Sequence, residues 1–156
     1  MGLDTKTVDR YIDVLEKNYV IFRLGSFARN LRNELKASRK IYFYDNGIRN
    51  AVLANFSILE SRANEEIGGL WENFIISERL KRNAYSGSYC NYWFWRTQQQ
   101  KEIDYIEEED GQISTFEFKW NPAAKYKYPQ QFIDAYPGST FQVVSRANIE
   151  EFLLDL

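Results

Sequence analysis

Two short alternating segments hold the residues best suited to chemistry. Glu102-Ile103-Asp104-Tyr105-Ile106 and Phe116-Glu117-Phe118-Lys119 interleave apolar and charged side chains. Along a strand, side chains two apart share a face, so Glu117 and Lys119 project together while Phe116 and Phe118 project the other way. If the segments pair through the loop over 107–114, Asp104 joins them, and two carboxylates and an ammonium converge. Such a set can hold a divalent cation through oxygen and place a water beside a phosphodiester. A hairpin with one wetted face carries the same alternation, so the pattern alone fits both a site and a solvated sheet.

The rest of the composition removes other chemistries. The chain has no histidine, so imidazole cannot serve as base, phosphate acceptor or metal ligand. Its single cysteine, Cys90, cannot close an internal disulfide, and no cysteine cluster exists to bind zinc. No glycine-rich loop leads into Lys-Ser or Lys-Thr, so ATP hydrolysis is not expected of these residues. A formal charge of −2 leaves any attraction for nucleic acid to local patches. With 156 residues, 44% of them hydrophobic, the chain suits one ordinary domain or two very small ones. No apolar run approaches the roughly 20 residues that span a bilayer, and the N-terminus lacks a signal-peptide core. A cytoplasmic protein without a membrane partner is expected.

The elements that must position these residues follow from periodicity. Val8, Tyr11, Ile12, Leu15 and Tyr19 form an apolar stripe at helical spacing behind a cap at Asp4 or Thr5. Strands are expected over 20–24 and 40–44, the second ending at Asp45-Asn46-Gly47, with a helix over 48–55. The pattern weakens over 57–64, which sets a boundary between segments 1–56 and 57–156. A strong helix starts near Glu65 and buries Ile67, Leu70, Trp71, Phe74, Ile75 and Leu80. Strands over 92–97, 102–106 and 114–120 form a meander with a turn at Asp110-Gly111. A helix over 129–135, a strand over 140–145 and a helix from Ile149 complete the order.

That order places an acid, Glu72, on the first helix, Asp104 on the second strand and Glu117-x-Lys119 on the third, and it resembles the PD-(D/E)xK, restriction-endonuclease-like core. Gly69-Leu70-Trp71-Glu72-Asn73-Phe74-Ile75, Tyr92-Trp93-Phe94-Trp95-Arg96, and the two segments above are also similar to a C-terminal domain of unknown function carried by prokaryotic AAA-type ATPases. Thr7 to Glu16 and Lys40 to Arg49 resemble the stretch before that domain. The fold implied is α/β: helix, three-strand meander, helix, strand, helix, preceded by a partial winged-helix-like segment. One departure is Ile103, which stands where the superfamily signature has proline. An ATPase module would lie upstream, outside this chain.

The resemblance implies roles for the matched residues. Asp104 and Glu117, with the Phe118 carbonyl, would bind Mg²⁺ or Mn²⁺. Lys119 would orient or deprotonate the attacking water, and Glu72 would bind metal through water or position Lys119. Arg96, Lys125 and Lys127 are the candidate substrate contacts, and the basic loop with Arg29, Arg32, Lys36, Arg39 and Lys40 is a candidate phosphate patch or solvated face. The run Tyr92 to Trp95 reads as a buried strand before it reads as a base-stacking surface. Two functions are expected from these residues: a Mg²⁺-dependent nuclease-like domain on DNA or RNA, or a catalytically idle regulatory domain that docks on an ATPase module or partner protein.

Overall fold

Alternation, capping and turn chemistry are each visible in the computed structural model, which describes residues 4–29, 34 and 38–154. Among them are five α-helices and two sheets in a mixed α/β arrangement. The N-terminal segment runs α1 (Thr5–Lys17), β1 (Ile21–Gly25), β2 (Arg39–Phe43) and α2 (Asn46–Val52). Asp45 starts α2 by accepting the Gly47 and Ile48 amides on its side chain, satisfying donors that the first turn leaves open. The strands β1 and β2 form an antiparallel pair from Ile21 opposite Phe43 to Gly25 opposite Arg39.

The C-terminal segment runs α3 (Asn64–Ser86), β3 (Asn91–Arg96), β4 (Glu102–Glu109), β5 (Gln112–Lys119), α4 (Gln130–Ala135), β6 (Thr140–Ser145) and α5 (Ile149–Leu154). The sheet order is β3-β4-β5-β6, antiparallel through β5 and parallel between β5 and β6. Asp110 and Gly111, at φ 50° and 80°, make the two-residue turn between β4 and β5. Positive φ at both central positions matches the right-handed twist of the strands, which is why Asp-Gly sits there.

This sheet is covered on both faces. Under α3 and α5 lie Trp71, Ile75, Ile76, Tyr105, Phe116, Phe118 and Phe152. On the opposite face Trp95, Ile103 and Ile106 pack with Phe27, Phe132 and Tyr136. Each such side chain, fully buried, contributes about 1.5–3 kcal/mol. Phe22, Leu24 and Tyr42 of the N-terminal hairpin enter the first cluster, and Phe27 donates its amide to Phe94 O at 2.7 Å. The segments on either side of residue 57 therefore share one core.

The apolar stripe of α1 faces outward: Tyr11 is 64% and Tyr19 75% exposed, and no residue of α1 is buried. What ties α1 to β1 is polar, Arg23 reaching Asp13 at 2.6 Å and Glu16 at 2.8 Å. Phe74, expected in the core, is 40% exposed on α3. Helical spacing defines a stripe but does not say what covers it. No helix among the described residues is long and apolar enough to cross a membrane.

Candidate functional site

The site forms where β4 loses both of its neighbours' regular pairing. Its ladder with β5 runs from Glu109 opposite Gln112 to Tyr105 opposite Phe116 and stops there. The Asp104 carboxylate instead accepts the Phe118 amide at 2.9 Å. On the other side Trp93 faces Ile106 and Trp95 faces Ile103, so Phe94 alone stands opposite Asp104 and Tyr105. An extra residue in one strand re-aims side chains. Accordingly Ile103 and Tyr105, two apart, enter opposite cores. The bulge releases Asp104 from strict alternation at the point where β4 and β5 part.

A second element brings cations to the acids. Asn73 of α3 clamps β2 through both ends of its amide, accepting the Phe43 N–H and donating to the Phe43 carbonyl, each at 2.8 Å. That clamp sets Glu72 against β2, where Lys40 and Tyr42 share the inward face. Glu72 Oε1 accepts from Lys40 Nζ at 2.8 Å and from the Tyr42 hydroxyl. Lys40 also pairs with Glu102, which in turn holds Arg96. Glu72 thus bonds Lys40 and Tyr42 directly, and its charge also acts on Lys119, Asp104 and Glu117. Arg96 is committed to a carboxylate, so it is not an uncommitted substrate cation.

Glu117 and Lys119 meet at 2.6 Å. Glu117 is buried, and its Oε2 has no hydrogen-bond partner among the described residues. The Tyr126 hydroxyl gives its one proton to Glu102 O at 2.8 Å, and Lys119 lies over the Tyr126 ring at 5.3 Å. Lys127 lines the same cavity, of about 520 Å³, with Glu117, Tyr126 and Tyr128. Lys125 is exposed on the loop before it. Arg32 and Lys36 lie outside the described residues. Arg29 is engaged by Glu108 at 2.6 Å.

Charge in this cluster is unbalanced. Burial, then Glu72 and Glu117, push the Asp104 carboxyl up to about 8, against the pull of the Phe118 amide and Lys40. Burial raises Glu117 as well, although Lys119 and the neighbouring Tyr126 hydroxyl draw it down. Burial lowers Lys119, but the hydrogen bond and charge of Glu117 outweigh it and hold the ammonium above its ordinary value. Lys40 behaves alike: burial lowers it, and Glu72 and Glu102 more than compensate. Lys119 is therefore a fixed cation at neutral pH, suited to orienting a water and not to taking its proton.

These residues fit a hard cation. A buried carboxylate oxygen without a partner and a carboxyl with a raised pKa are both relieved by positive charge. Among the described residues no three Asp, Glu, Cys or His side chains gather closely enough to hold a metal ion by themselves. Magnesium commonly uses one or two carboxylates and fills its octahedron with water and phosphate, so Asp104 and Glu117 would suffice with the Phe118 carbonyl. Sequence reasoning missed Lys40 and Tyr42 as partners of Glu72. Their alternation across Ile41, on a strand ahead of the helix, was the available signal.

A mixed α/β domain with an acidic cluster at a strand divergence is the class that fold and geometry define. The chain belongs to the family described as domain of unknown function DUF4143, whose model matches residues 67–152 and which is typically associated with AAA-type ATPases. Residues 1–58 match a second domain of unknown function, DUF8612. The chain is similar to an uncharacterized protein of Mycobacterium tuberculosis and to one of Mycobacterium bovis, each 31% identical over 113 residues, or 72% of this chain. It spans 25% of the length of these curated relatives. No solved structure matches it.

Proposed function

We propose that this chain is a metal-dependent, nuclease-like domain that acts on nucleic acid and is built on a restriction-endonuclease-like, PD-(D/E)xK core. The observation that carries this reading is the unpartnered, buried Glu117 Oε2 beside Asp104 and Lys119. A buried acceptor without a partner costs about 1–3 kcal/mol, and a bound cation would relieve that cost.

Asp104 and Glu117, with the Phe118 carbonyl, would hold Mg²⁺ or Mn²⁺. When bound, the ion supplies charge stabilisation at a phosphate oxygen and a water of lowered pKa. Lys119, kept charged by Glu117, orients that water and neutralises charge on the phosphate. Glu72 fixes Lys40 and Tyr42 at the edge of the cluster, and Lys127 at the cavity rim meets backbone phosphate, with Lys125 on the adjoining loop. The element order from α3 to α5 supports the restriction-endonuclease-like assignment.

The test is calorimetric titration with Mn²⁺ and Mg²⁺ together with incubation on single-stranded DNA, duplex DNA and RNA, for wild type, Asp104→Ala and Glu117→Ala. Metal binding and cleavage by wild type alone are expected. Equal cleavage by the variants rejects the reading.

The outward stripe of α1 favours a second reading, a catalytically idle regulatory or protein-interaction domain whose partner, such as an AAA-type ATPase module, covers Tyr11, Val14 and Tyr19. It expects Tyr11→Ser to abolish a partner complex while the chain binds no metal. Metal binding lost in Asp104→Ala and Glu117→Ala counts against it.

A further inference from the structure

The cavity of about 520 Å³ beside the carboxylate cluster changes character across its lining. Glu117 is buried within it, whereas Gln100, Lys101 and Lys127 are exposed around it. Among the described residues neither Lys101 nor Lys127 forms an ion pair. That sets them apart, because Arg29, Lys40, Arg79, Arg96 and Lys119 each hold a carboxylate. Two uncommitted ammonium groups at one cavity are available to an anionic ligand.

Both lysines stand on anchored loops. Lys101 closes a turn with the buried Thr97, whose amide donates to Lys101 O at 2.9 Å and whose hydroxyl accepts the Lys101 amide at 3.3 Å. The loop with Lys127 is tied down on either side, since the Tyr126 hydroxyl donates to Glu102 O at 2.8 Å and the Tyr128 hydroxyl meets that of Thr115 at 3.0 Å. Tyr126 and Tyr128 also stack on Phe141, with centroids 5.5 and 4.3 Å away. These half-buried tyrosines give the cavity a fixed aromatic wall beside its free cations. Groups held in place before binding lose little freedom when a ligand arrives.

A ligand that suits cations and aromatic wall together must expose both phosphate and base. In a duplex the bases are stacked and paired, and proteins read them with an element that protrudes into a groove. Here the cations line a concavity, and a duplex, with a persistence length of about 50 nm, is too stiff to bend into it. An unpaired strand bends freely, carries its charge along the backbone and leaves its bases open to aromatic side chains. The volume falls within the roughly 300–1,000 Å³ of small-ligand sites, which leaves room for about one nucleotide. We propose that this cavity takes an unpaired strand of nucleic acid, its phosphates on Lys101 and Lys127 and a base against the wall of Tyr126 and Tyr128. The proposal rests on the nuclease-like reading of the same site and names its substrate as single-stranded.

The test is fluorescence anisotropy of labelled oligothymidylate, oligouridylate and a duplex of equal length, titrated with the full chain in Ca²⁺ across a salt series, the two single strands distinguishing DNA from RNA. At least one single strand is expected to bind about tenfold more tightly than the duplex, and the double variant Lys101→Ala, Lys127→Ala should lose about tenfold in that affinity and flatten the salt slope by about 1.4, from about 0.7 per phosphate contact. Both side chains are exposed, so the variant keeps its fold. Equal or tighter binding of the duplex, an unchanged slope in the variant, or no binding of either single strand overturns the proposal. Cleavage is followed separately in Mg²⁺ and Mn²⁺. Single-strand binding without cleavage sinks the nuclease-like reading alone, and cleavage joined to a duplex preference sinks this proposal alone.

Discussion

Asp104 and Glu107 are three residues apart on one strand, Glu107 buried and Asp104 half-buried, and they meet opposite electrostatic fates. Glu107 accepts Arg79 through Nε at 2.9 Å and Nη2 at 2.7 Å, Asn83 at 2.8 Å and the Tyr105 hydroxyl at 3.0 Å. Burial alone would raise its pKa, but Arg79, Asn83 and Tyr105 hold it below the ordinary value. Asp104 has one amide donor and two neighbouring acids, and its pKa rises to about 8. A buried carboxylate met by four donors is a structural joint, whereas a carboxyl held against like charge is poised for a cation or a proton. Glu108, the next acid along, pairs with the half-exposed Arg29 and gives a third, weaker case.

The contrast can be broken in several places. The largest effect is expected from Glu107→Ala, which strands the Arg79 charge in the interior. Chemical denaturation should show a loss of about 3–5 kcal/mol, and a loss under 1 kcal/mol would remove the structural half of the comparison. Next, Asp104→Ala should lower metal-dependent cleavage by about 10²–10³-fold while leaving the chain folded. Cleavage that survives at wild-type rate would remove the functional half.

Asp104→Asn should stabilise the fold, and the pH dependence fixes the sign. The folded carboxyl titrates near 8 against an ordinary value of 3.8. Its contribution to stability is thus fully present below 3.8 and is lost as pH rises through about 8. The gain from asparagine should appear above pH 4, grow to the order of a few kcal/mol and level off above pH 8. Thermal melts of both proteins from pH 4 to 9 measure it, and parallel curves would deny the raised pKa. By the same logic Mn²⁺ should bind more tightly as pH rises toward 8, with proton release seen as a buffer-dependent heat. The smallest effect belongs to Arg29→Ala, which should cost about 0–1 kcal/mol by denaturant melt.

Much of this was legible in the residues. The alternation of Phe116-Glu117-Phe118-Lys119 gives the face on which Glu117 meets Lys119, because a strand has a fixed period of two. Asp110-Gly111 marks its turn, and β6 occupies the residues its apolar pattern indicates. Less visible was how Asp104 is aimed. The bulge opposite Phe94 is a property of two strands in register, and no one-strand pattern contains it. The link from Glu72 to Lys40 and Tyr42 spans about thirty residues and depends on the Asn73 clamp.

Local order, the sheet's alternating faces and the acid and lysine inventory were determined by sequence alone, since each depends on near neighbours along the backbone. Tertiary structure alone decided which acid is paired with cations and donors and which is held beside like charge. Charge and desolvation act through space, and the partners that settle them arrive from distant parts of the chain.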